Sequence, residues 1–88
     1  MEDAFFEGSP LQKWQDIIRN ASPTLVGLEL ERLLERVVVY EALLEQKGVD
    51  VDKAFKAYYF DETHKEEIES SKQNLAITSM ATILGNYE

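Results

Sequence analysis

Val26, Leu30, Leu33, Val37, Tyr40 and Leu44 follow one another at alternating steps of four and three, which lines them up along one side of a helix with 3.6 residues per turn. A strand would alternate by two. The pattern predicts a long helix over residues 23–47. Ser22 is placed to cap its first turn, Pro23 suits the first helical position, and Gly48 can supply the left-handed residue that closes it. Glu29, Glu31, Arg32, Glu35, Arg36, Glu41 and Glu45 lie off the stripe and read as a solvated face, with Glu29 and Arg32 close enough to pair.

Two features work against this helix. Val37, Val38 and Val39 are β-branched, and Gly27 costs about 1 kcal/mol relative to alanine. A short strand at VVVY would satisfy propensity alone. The stripe nevertheless continues in phase on both sides of the valines, and no hairpin turn flanks them. As a helix, the stretch Val37 to Tyr40 is apolar nearly all round, so it should be covered from more than one direction. The helix is also longer than a compact domain of this size is wide, so it either crosses the whole domain or projects from it. A second copy of the chain is the simplest cover for a projecting apolar helix.

The same reasoning divides the rest of the chain. Ser9, Pro10 and Gln12 open a first helix over 10–20 whose apolar side is Leu11, Trp14, Ile17 and Ile18. Asp50 or Asp52 can cap a third helix over 51–60, with Val51, Ala54, Phe55, Tyr58 and Tyr59 on one face. Thr63 and Glu66 form a possible capping box for a fourth helix over 63–86, carrying Ile68, Leu75, Ala76, Met80, Ile83, Leu84 and Tyr87. In that helix Ala76, Ser79 and Ala81 are small enough to permit close approach to the central helix. The expected fold is all-α: a small bundle of about four helices, the second and fourth forming a long antiparallel pair (about 23–47 and 63–86). Residues 9–88 form a single helical domain, and residues 1–8 a flexible N-terminal segment whose Phe5 and Phe6 either fold back on the domain or insert into a partner's groove.

Composition narrows the function classes. With 17 acidic and 9 basic residues in 88, the net charge is -8, which disfavours direct binding to nucleic acid. The acidity serves solubility, or it docks on a basic partner. There is no cysteine, so neither a disulfide framework nor a thiolate zinc site is available. No apolar run approaches the length of a membrane span and no apolar leader opens the sequence, so a cytoplasmic protein with no membrane partner is expected.

Catalytic, cofactor and metal chemistry finds no support. His64 is the single histidine, which excludes a two-histidine metal site within one chain. Asp61, His64 and Glu67 share a helix side but read as a solvated helix start. Asp50 and Asp52 resemble the opening of a calcium loop, yet Ala54 and Phe55 stand where a ligand and a glycine are required. The four glycines are too scattered for a phosphate loop.

The expectation is a non-enzymatic, cofactor-free interaction module: an adaptor, regulator or inhibitor that binds another protein. Its candidate contacts are Phe5, Phe6, Val38, Val39 and Leu43, together with the acidic residues Asp61, Glu62, Glu66 and Glu67. The alternative is a homodimeric or larger assembly subunit whose second or fourth helix packs against its own copy. A third reading, an acidic DNA mimic that blocks a nucleic-acid-binding protein, requires Asp50, Asp52, Asp61, Glu62 and Glu66 to form rows.

Overall fold

The structure, a computed structural model, describes residues 8–85. Among them are four α-helices, α1 (Pro10–Asn20), α2 (Pro23–Gln46), α3 (Val51–Tyr59) and α4 (Lys65–Gly85), with a 3-10 turn at Glu62–His64 ahead of α4. No strand occurs in the described residues, and VVVY lies inside α2. The proposed behaviours of Phe5 and Phe6, and Tyr87 on the α4 stripe, lie outside the described residues.

The helix boundaries follow local chemistry. At α1 the Ser9 hydroxyl accepts from the Gln12 amide while the Gln12 side chain accepts from the Ser9 amide, closing the expected capping box. The next free amide, of Leu11, donates to Gln73 Oε1 on α4 at 2.8 Å, so the start of α1 is fastened to another helix. At the far end of α2, Gly48 adopts φ +80°. The amide of Gly48 then reaches the Glu45 carbonyl and that of Val49 the Leu44 carbonyl, the paired closing bonds that a left-handed residue permits. Asp50 caps α3 by accepting from the Lys53 amide.

Two expected caps differ. The Ser22 side chain makes no capping bond, and Pro23 at the first helical position stands in its place, since proline has no amide to satisfy. Thr63 and Glu66 do not form a box. Asp61 lies two residues earlier and accepts from both the amide and the hydroxyl of Thr63, a tighter turn that starts the 3-10 segment before α4 begins.

The long helices α2 and α4 run antiparallel. Glu29 meets Ser79, one turn on Leu33 shares a groove with Ala76, and farther along Tyr40 and Leu44 share a cleft with Ile68. The buried residues of α2, Val26 and Glu29, lie in its first third, and the more extensive neighbour of α4 is α1. The small residues expected to permit close approach are split accordingly, Ala76 and Ser79 being buried and Ala81 exposed. Val26, Ala76 and Ile83 are the only buried apolar residues among those described, and of them Ile83 alone is fully enclosed. Everything from Leu34 to Gly48 is exposed, as is everything from Asp52 to Thr63.

The molecule therefore consists of a packed node and an arm. The node is α1, the start of α2 and the C-terminal part of α4. The arm is residues 34–60, the rest of α2 with α3 folded back beside it. Principal extents of 44 × 33 × 16 Å and a radius of gyration of 15.8 Å fit this shape, where a compact chain of this length would measure about 12 Å.

Candidate interaction surface

Glu29 defines the inner edge of the surface. Its position is 1% exposed, although the apolar stripe leaves it among the solvated charges. The cause is geometric: residue 29 lies three after Val26 and four before Leu33, so it points into the same side of α2 as they do. The carboxylate accepts two bonds from Arg32, both 2.8 Å, and one from the Ser79 hydroxyl at 2.6 Å. Ser79 Oγ in turn accepts from the Trp14 indole N–H at 2.8 Å. This chain of bonds links α1, α4 and α2 in series, and it satisfies a buried charge that would otherwise be costly. Bonding from Arg32, opposed by burial and aided by Ser79, holds the Glu29 carboxyl below its ordinary range.

Past this node the apolar residues of α2 are only partly covered, by α3 on the side of Val37, Tyr40 and Leu44. Val38 is 64% exposed, and Val39 and Leu43 are half-exposed on the same arm. These three expected contact residues are thus exposed along the same stretch of α2. Leu34, Leu28, Leu75, Ile77, Leu84 and Phe60 are equally bare and extend the surface beyond what the stripe indicates. Between α2 and α3 lies an apolar cleft of about 440 Å³ lined by Val37, Tyr40, Leu44, Val51, Phe55 and Ile68. A second apolar groove of about 260 Å³ lies at the node, where Leu11, Trp14, Leu33 and Leu75 leave a gap. On α3, Phe55 stacks on Tyr59 and Tyr59 meets the edge of Phe60, which keeps three aromatic rings together at the arm's surface.

The acidic candidates gather at the junction of α3 and α4, and most are engaged locally. Asp61 is the cap of the 3-10 turn, and bonds from Thr63 hold its carboxyl below the usual range. Glu62 pairs with Lys65 at 3.6 Å. Glu67 accepts from the Tyr58 hydroxyl at 2.9 Å, which raises the phenol's pKa. Glu66 is exposed in the first turn of α4, favourably placed at the positive end of the helix dipole. Of the residues that DNA mimicry would require in rows, Asp50 and Asp52 stand at the start of α3, Asp61 and Glu62 follow its end, and Glu66 lies in the first turn of α4.

His64 is held by its neighbours. Its ring stacks on Tyr58 with centroids 3.7 Å apart, and its Nδ1 lies 3.1 Å from the Tyr58 carbonyl, a contact that requires the proton on Nδ1. Among the described residues no three histidine, aspartate or glutamate side chains converge to hold a metal ion. No helix among them is long and apolar enough to cross a membrane.

Residues 6–88 match the family model described as a domain of unknown function, DUF2018. The chain belongs to the DUF2018 family. A comparison with curated proteins gives no match. The match takes in the node and the arm together, so both are parts of one DUF2018 domain.

Proposed function

We propose that this DUF2018 chain is a small non-enzymatic interaction module of the cytoplasm, an adaptor, regulator or inhibitor that binds another protein through its arm. The observation that carries this reading is the bareness of residues 34–60, where large apolar side chains stand in solvent beside an open apolar cleft. Patches of this extent on a single chain mark interaction sites. The acidic residues flanking the arm keep such a chain soluble and bias it against nucleic acid.

The second reading, a homodimeric assembly subunit, is favoured by the three-residue core of the node. A partner that supplies the missing cover could be a copy of the chain itself. Capture experiments with the tagged full-length chain separate the sites. A protein partner should be retained by the native chain and by E66K/E67K, and lost by Val38→Glu and Leu43→Glu. A partner lost only on charge reversal at Glu66 and Glu67 would move the site to the acidic junction. Finding no specific partner would sink the adaptor reading and leave self-assembly.

A further inference from the structure

We infer that the residues ahead of Gly8 fold back across the start of α1 and seat the Phe6 ring in the apolar groove of the node, so that the chain's own N-terminal segment completes the node's core. The node groove and the arm are separate surfaces, so the interaction-module reading does not depend on this contact.

The groove suits one apolar ring. Ala76 and Ser79 are its buried floor, and Leu11, Trp14, Leu33 and Leu75 its walls, with Leu75 still 48% exposed. Lys72 stands at the edge, but its ammonium is turned to Glu69 at 2.9 Å, so it offers the groove only its aliphatic stem. The Ser79 hydroxyl and the Trp14 indole N–H are both engaged in the chain of bonds to Glu29, which leaves a polar occupant nothing to bond. The volume is about 260 Å³, and a dry cavity of about 150 Å³ already accepts a benzene ring. One phenyl group therefore fits, and two side by side do not.

The chain itself delivers that ring. The Leu11 amide is bonded to Gln73 on α4 at 2.8 Å, so the polypeptide enters the node between the two helices that wall the groove. At a usual helix start the residue before the cap packs on the fourth helical residue. Here those positions are Gly8 and Lys13, and nothing apolar fixes the entry. The first apolar side chain upstream is Phe6. It precedes Leu11 by five positions, a reach of up to roughly 17 Å, whereas Trp14 lies only about 4.5 Å farther along α1. Phe5 and Phe6 are consecutive, so in an extended segment they point to opposite sides and only one can enter. The DUF2018 match begins at residue 6, which takes Phe6 into the domain. A tether this short holds its ring at an effective concentration in roughly the millimolar range, far above that of a second chain or another protein in ordinary solution. The segment therefore takes the groove first, and the arm remains as the surface open to a partner.

Trp14 is the single tryptophan of the chain, so its fluorescence reads the groove alone. Phe6→Ser should shift its emission to the red and open it to quenching by acrylamide. The same variant should lower the folding equilibrium constant roughly 10- to 100-fold, and Phe5→Ser should change that constant by no more than about twofold. An unchanged Trp14 signal in Phe6→Ser, or an equal effect of Phe5→Ser, would overturn the assignment. The native chain gives a second readout that needs no variant to fold: nuclear Overhauser contacts from the Phe6 ring to Trp14 and Leu75, recorded on equal mixtures of isotope-labelled and unlabelled chains. Contacts within one chain are the expected result. Contacts seen only between chains would give the groove to a second copy, and no contact would leave it to a different protein. Either result overturns the assignment, while the capture experiment on Val38 and Leu43 would be unaffected.

Discussion

Glu29 is a charged residue in the most enclosed part of the fold, and its surroundings give the stability a pH dependence of definite sign. Bonds from Arg32 and Ser79 hold its carboxyl below the ordinary glutamate value of 4.5. The unfolded chain therefore takes up a proton at higher pH than the folded one does. The stabilisation is complete above about pH 4.5 and disappears as the pH falls through the lower folded value. Asp61 and Glu69 are displaced in the same direction by bonds from Thr63 and from Lys72 and Gln73, so the acid loss is shared. Glu29→Gln should cost about 1.5–3 kcal/mol at neutral pH and flatten the acid limb of a urea-stability profile. Ser79→Ala should cost about 1–2 kcal/mol, because it leaves the Trp14 indole N–H unpaired. A profile for Glu29→Gln as steep as that of the native chain would remove Glu29 from this role. The buried acid was legible in principle, since residue 29 shares the side of α2 occupied by Val26 and Leu33. On α4, Ser79 stands in the same relation to Ala76 and Ile83. Sorting positions by polarity alone puts Glu29 outside and leaves Ser79 as spacing; sorting by angle puts both inside.

Among the helices, the two glycines of the α2 region should respond in opposite directions. Gly27 lies within α2, and a Cβ added there meets nothing within 4 Å. Gly27→Ala should therefore stabilise by about 1 kcal/mol through helix propensity. Gly48 sits at φ +80°, where a side chain is strained, and Gly48→Ala should destabilise by about 1 kcal/mol. Thermal unfolding of both variants at one protein concentration checks the pair. The helix ends were legible wherever a cap is local, as with Ser9 and Gln12 or with Gly48. At Ser22 and Thr63 the residue type suits a cap, but Pro23 and Asp61 do the work instead. The preference of α4 for α1 over α2 was not legible. It depends on bonds between residues more than sixty positions apart, Leu11 to Gln73 and Trp14 to Ser79, and no periodicity along one helix encodes them.

For the whole molecule, the apolar all-round stretch at Val37 to Tyr40 was visible in the sequence, and so was its need for cover. Where the cover comes from was not visible, because periodicity states that a face must be buried and not against what. The described residues leave that face open. Each chain carries a net charge of -8, so bringing two together sets like charges against each other. Added salt screens that repulsion, and dimer affinity should rise with ionic strength. Weaker association in salt would mean that attractive ion pairs dominate the interface. On the proposed reading, residues 34–60 are held by another chain and not by their own node. Amide hydrogen exchange over those residues, followed from concentrated to dilute protein, tests it most directly. Arm amides should exchange slowly in concentrated solution and become fast together on dilution. Arm protection that stays constant across dilution while the mass falls to that of one chain would contradict it.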